Sequence, residues 1–132
     1  MKKLTLLLIT FLTTLAYAEE ITLDNLTSYP NRRQSSKMAV QWATSASEID
    51  EGNVSMMHDM NQNPHSLEMI TKSGRIRLMV PDNAEYFRVL VWSDGKDNPN
   101  LHTNWVLINS GKTYPLTNEQ LVPSVLMSGS GC

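Results

Sequence analysis

Apolar residues come in short runs along this chain, and the runs stop at Gly, Pro, Asn and Asp. The densest run is EYFRVLVWSDG, Glu85–Gly95. On an extended backbone it puts Tyr86, Leu90 and Trp92 on one face and Phe87, Val89 and Val91 on the other. Apolar side chains on both faces predict a strand covered on both sides, and aromatic and β-branched residues suit a pleated surface. This run is the expected central strand.

The rest of the chain reads as shorter strands around it. Ile21–Ser28 begins with Ile21 and Leu23 on one face, and Tyr29–Ser36 is loop, because Pro30 cannot donate to a ladder. Met38–Thr44 alternates, with Met38, Val40 and Trp42 directed inward, and predicts a half-buried strand. Ser45–Asn53 is acidic and predicts a loop with at most one helical turn, capped by Ser45 or Ser47. Val54–Met60 suits a strand or a helix. Leu67–Val80 predicts a hairpin about Ser73-Gly74, with Ile76, Leu78 and Val80 inward and Arg75 and Arg77 in solvent.

Beyond the central run, Asp94–Asn100 is a turn-forming loop and Leu101–Ile108 a strand. Asn109-Ser110-Gly111 predicts a further hairpin onto Lys112–Leu116, whose Pro115 marks an edge. Thr117–Gln120 can cap a short helical turn, and Val122–Met127 reads as a last strand. Seven or eight short strands at regular spacing predict an all-β domain, a small antiparallel β-sandwich, with a small β-barrel as the alternative.

The first 18 residues change the picture of where this domain works. Lys2 and Lys3 precede an apolar, Thr-studded stretch, Leu4–Leu15, and Ala16-Tyr17-Ala18 has the form of a cleavage site. This is a signal-peptide pattern, too short and polar for a membrane span of about 20 apolar residues. The expectation is an exported protein, periplasmic or secreted at a bacterial envelope, without stable membrane insertion. It would comprise one β-domain, residues 19–127, and a loose tail, 128–132. Losing Lys2 and Lys3 takes the formal charge from −2 to −4. That balance, with small basic clusters at Arg32-Arg33 and Arg75/Arg77, speaks against nucleic acid as partner. The single cysteine, Cys132, allows no internal disulfide. In an oxidising compartment it offers a disulfide-linked dimer, against the plainer reading of an idle tail thiol.

Candidate chemistry is sparse. No serine sits in a G-x-S-x-G elbow, no glycine loop cradles phosphate, and Cys132 hangs where no base can hold it. His58, His65 and His102 single out no catalytic trio, and Glu48, Asp50 and Glu51 fall in the acidic loop. An enzyme is not expected. Met56, Met57, His58, Met60, His65 and Met69 fall within fourteen residues, and thioether with imidazole suits cuprous copper. Methionines fill cores equally well, so copper is the alternative reading rather than the first. The polar loop after the central strand carries Asp94, Lys96, Asp97, Asn98, Asn100, His102 and Asn104, bordered by Trp92 and Trp105. Loops on a rigid β scaffold are a common place for binding groups. With Arg32 and Arg33 in the earlier loop, these residues form the expected contact surface of a non-catalytic binding module. Its expected partner is another protein at the envelope, the chain acting as inhibitor, immunity factor or accessory subunit; a carbohydrate is the third reading. Asn25-Leu26-Thr27 and Asn53-Val54-Ser55 also match the glycosylation sequon.

Overall fold

Two sheets packed face to face account for most of the chain. The computed structural model describes residues 19–57, 67–95 and 98–124. Within them the order is β1 (Glu20–Asn25), β2 (Lys37–Ala43), α1 (Ala46–Met57), β3 (Leu67–Ile70), β4 (Gly74–Met79) and β5 (Tyr86–Trp92). The short strands β6 (Leu101–His102), β7 (Val106–Leu107), β8 (Thr113–Leu116) and β9 (Val122–Pro123) follow. The smaller sheet runs β4-β1-β8 and the larger β3-β2-β5-β6-β9, with β7 also on β5. All pairings are antiparallel except β1 with β8. The all-β, sandwich-like expectation holds. Among the described residues no helix is long and apolar enough to cross a membrane.

The core lies between the sheets. Ile21, Leu23, Leu78, Tyr114 and Leu116 of the smaller sheet meet Met38, Val40, Phe87, Val89 and Val91 of the larger. Burying an aliphatic or aromatic side chain of this kind stabilises by about 1.5–3 kcal/mol. β5 is the central strand, as its two apolar faces predict. Its second face carries Leu90 and Trp92, which pack with Ala39.

Several expected elements differ in the structure. β2 is buried on both faces, with Ala39, Gln41 and Ala43 covered as well as Met38 and Val40. Leu67–Val80 is not a hairpin: β3 pairs with β2 and β4 pairs with β1, so the chain changes sheets between them. A Ser-Gly pair turns the chain in either arrangement, and pattern alone does not separate a hairpin from a corner. The same holds at Asn109–Gly111, since β8 joins β1 rather than β7. There the Tyr114 hydroxyl accepts from the Asn109 N–H at 2.7 Å and donates to the Leu107 carbonyl at 3.0 Å, tying the corner.

Ser45–Asn53 is not a loop but most of a twelve-residue helix. Ser45 Oγ accepts from Glu48 N–H at 3.3 Å, while Glu48 Oε1 reaches back to Thr44 N–H at 2.6 Å. This reciprocal arrangement starts a helix as a capping box does. Gly52, which costs a helix about 1 kcal/mol relative to Ala, is what made the segment read as loop. Glu48, Asp50 and Glu51 therefore stand on α1.

Asn25 holds the crossing between sheets. It is 1% exposed, and its Nδ2 donates to the carbonyls of Tyr29 at 2.9 Å and Lys72 at 3.0 Å. Its Oδ1 accepts from Thr27 N–H at 3.2 Å and Thr27 Oγ1 at 2.7 Å. One amide thus fixes both the exit from β1 and the corner before β4. It is not open to glycosylation in the folded chain. Asn25→Ala should lower stability by about 2–4 kcal/mol, because it strands buried polar groups. Leu26→Ser, at an exposed neighbour, should change it by less than about 0.5 kcal/mol. Urea unfolding of both variants checks the contrast.

Candidate functional site

Two loops distant in sequence meet at one end of the larger sheet. Lys37 of β2 faces Trp92 of β5 in register, so the segment entering β2 and the segment leaving β5 emerge side by side. The first is a 3₁₀ turn, Arg32–Gln34. Asn31 caps it, Oδ1 accepting from Arg33 N–H at 3.0 Å, and Ser36 Oγ accepts from Asn31 N–H. The second turns at Asp94-Gly95 and is pinned by Asn100. The Asn100 Oδ1 accepts from Ser93 N–H at 2.8 Å, and its Nδ2 donates to Ser93 Oγ at 2.6 Å.

Gly95 is where the loops touch. Its φ of +75° favours glycine, and a Cβ there would lie 2.5 Å from the Ser35 carbonyl oxygen. Ser35 itself stands in the left-handed region, closing the turn that presents Arg32 and Arg33. Both arginines and Gln34 are exposed. Among the described residues neither arginine has an ion-pair partner.

The expected surface divides accordingly. Arg32, Arg33, Asp94, Asn98 and Asn100 belong to the two touching loops. Lys96 and Asp97 lie outside the described residues, as do residues 1–18, His58, Met60, His65 and Cys132. The side chains of Met56 and Met57, which end α1, are outside them too. His102, Asn104 and Trp105 do not belong to this surface. His102 is buried in β6 with Nδ1 3.2 Å from Ser124 Oγ, and Trp105 sits on the outer face of β5. Among the described residues no three His, Cys, Asp or Glu side chains converge to hold a metal.

Trp105 reaches its position through a bulge. Leu90 faces His102 but Phe87 faces Val106, so three steps along β5 match four along its partner. Leu101–Ile108 is therefore not one strand. Asn104 and Trp105 share the place opposite Arg88, and the Arg88 guanidinium lies 4.4 Å from the centroid of the Trp105 ring. Arg88 has no exposure at all. Gln41 Oε1 accepts from its Nε at 2.7 Å, and Asn53 Oδ1 accepts from its Nη1 at 3.0 Å and from the Trp105 indole N–H at 3.3 Å. The second sequon asparagine is committed here. Burial pushes the guanidinium down to about 10, which leaves it charged at neutral pH. This cluster was missed in the sequence. The available signal was a charge inside the most apolar run, opposite a glutamine that alternates onto the same face.

Compared with protein families, curated proteins and solved structures, the chain matches none. Its own geometry carries the functional argument.

Two solution measurements follow from the cluster. Gln41→Leu removes a neutral acceptor from a buried cation and should cost about 2 kcal/mol of stability. In an Arg88→Met background the same change should cost much less, which a double-mutant cycle in urea resolves. The second concerns His102. Burial, and then the charge of Arg88, hold its imidazole below the usual range. The unfolded chain then binds a proton more readily than the folded one. Stability from this group is complete above the unfolded value, about 6.5, and falls as pH drops through it toward the folded one. Glu68, raised by burial against a hydrogen bond from Trp42, acts with the opposite sign from its ordinary value of 4.5 upward. The difference in urea midpoint between wild type and His102→Gln, followed from about pH 7 to about pH 5, should isolate the histidine.

Proposed function

We propose that this chain is an exported, non-catalytic binding module. Its partner is a protein of the cell envelope, engaged through the Arg32–Ser35 turn and, beside it, Ser93, Asp94, Gly95 and Asn100. The observation that carries the reading is the seat of Gly95 on Ser35: two loops some 60 residues apart are locked together on a rigid sheet. A preorganised surface loses little conformational entropy on binding. Arg32 and Arg33 stand on it exposed, and arginine is favoured at protein interfaces for its planar, multidentate donors. An acidic patch on the partner fits that charge. The signal-peptide pattern ending at Ala18 supports an encounter outside the cytoplasm.

The strands support loops over edges as the contact. β4 presents Arg75 and Arg77 at one edge, and β8 and β9 carry Pro115 and Pro123 at two others; β3, the fourth, carries Glu68 beside exposed Met69. Charge and proline are the usual means of blunting an edge against strand addition.

A photo-crosslinking residue placed at exposed Gln34, in the full chain expressed in its native host, tests the reading. The mature protein should begin at Glu19 and lie in the periplasmic or extracellular fraction. It should give one discrete adduct, lost in Arg32→Glu/Arg33→Glu and absent when the probe stands at Asp82. Equal adducts from both positions, none at all, or an adduct indifferent to charge reversal would overturn it.

A further inference from the structure

The bulge that places Trp105 outside the larger sheet has a counterpart inside. Between the sheets, beside β8, lies a half-open cavity of about 200 Å³. Leu23, Tyr114 and Leu116 wall it from the smaller sheet, and Phe87, Val89 and Val106 from the larger. Phe87 and Tyr114 meet edge to face at 5.0 Å, giving it a rigid aromatic side. It follows the stretch where β6 has ended and β7 has not begun. Interiors are otherwise packed to crystal density, so a space of this size between two sheets needs an account.

Among the described residues each polar side chain on the cavity makes a hydrogen bond, with one exception. Thr103 Oγ1 accepts from Val89 N–H at 2.9 Å and donates to the Asn104 carbonyl at 3.0 Å. The Tyr114 hydroxyl is used at the corner described above, and Gln120 Oε1 accepts from Thr117 N–H at 2.8 Å. The exception is Lys112. Its Nζ stands 5.0 Å from the centroid of the Tyr114 ring at the cavity's border. Among the described residues it has no acidic partner. Its carbonyl accepts from Thr22 N–H at 3.0 Å, so the lysine backbone is fixed to β1.

An apolar enclosure with a single cation at its rim is complementary to a small amphiphilic monoanion. A cavity of about 150 Å³ is enough for a benzene ring. We propose that this cavity binds an aryl or short-chain alkyl carboxylate, its apolar part between Phe87 and Leu23 and its carboxylate at Lys112. The site shares no residue with the two-loop surface and stands or falls separately from it.

The test is a ¹H–¹⁵N NMR titration of the full mature chain with phenylacetate and hexanoate, each beside its primary amide. Saturable shifts should gather at Leu23, Val89, Val106 and Leu116, with millimolar affinity, as suits ligands of so few atoms. The carboxylates should bind about three- to fivefold more tightly than the amides, as a solvent-accessible ion pair allows. Lys112→Met, at an exposed position, should abolish that preference while leaving the amide affinity unchanged. Val106→Phe should fill the space and remove binding of both; its retained amide dispersion would show that it folds. No saturable shifts, shifts gathered elsewhere, or equal binding of acid and amide to the wild type would overturn the proposal. So would carboxylate preference surviving in Lys112→Met.

Discussion

A guanidinium sealed inside the larger sheet constrains the elements around it. Taking a charge from water is costly unless hydrogen bonds and polarisable groups replace the water. At Arg88 the replacements include Gln41 on β2, Asn53 on α1 and Trp105 on the bulge. Each must be delivered at the right height on the sheet. The helix is required to lie against this face, and the partner strand is required to break. Without the bulge, Trp105 would stand opposite Phe87 on the inner face, away from Arg88. The buried charge thus acts as a device of specificity: it fixes where α1 sits and where β6 ends.

The bulge has effects on both faces. A register slip of one residue reverses which side chains face inward. Because two residues oppose Arg88, Val106 returns to the inner face opposite Phe87, while Trp105 stays outside with the guanidinium. Thr103 bridges the break by giving Val89 N–H a side-chain acceptor where a strand would give a carbonyl. The core on that side is therefore walled but not filled. Irregularity serves the charge on one face and leaves space on the other.

How much of this was legible in the residues depends on the range of the signal. The central strand was, because Tyr86–Trp92 shows its two apolar faces locally. The sandwich-like class was, because turn residues punctuate short apolar runs. The partners of β3, β4 and β8 were not. Ser73-Gly74 and Asn109–Gly111 look like hairpin turns, and what makes them corners is remote: the Asn25 amide on Lys72, and the Tyr114 hydroxyl reaching back past its own strand. The helix failed on Gly52, whose local penalty is outweighed by the capping at Ser45 and Glu48 and by the bond that Asn53 accepts from Arg88. Of the expected surface, the loop residues were recognisable from their polarity alone. His102, Asn104 and Trp105 were grouped with it for their polarity and nearness in sequence. Pairing on β5 takes His102 out of the loop, and the bulge, a single extra residue invisible to a period-two pattern, sets Trp105 over Arg88.

The same contrast bears on what kind of function the fold can serve. At one end, glycine and asparagine lock two loops so that exposed arginines stand on a fixed platform. In the middle, the Asn25 corner and the Tyr114 hydroxyl tie the crossings between the sheets. Recognition needs the first, since every loop rotamer left free would have to be ordered on contact. A small cavity needs the second, since an enclosure with mobile walls would collapse on its own apolar lining. Asn100 ties one of the loops and Tyr114 walls the cavity, while Asn25 and Arg88 fix the elements around them.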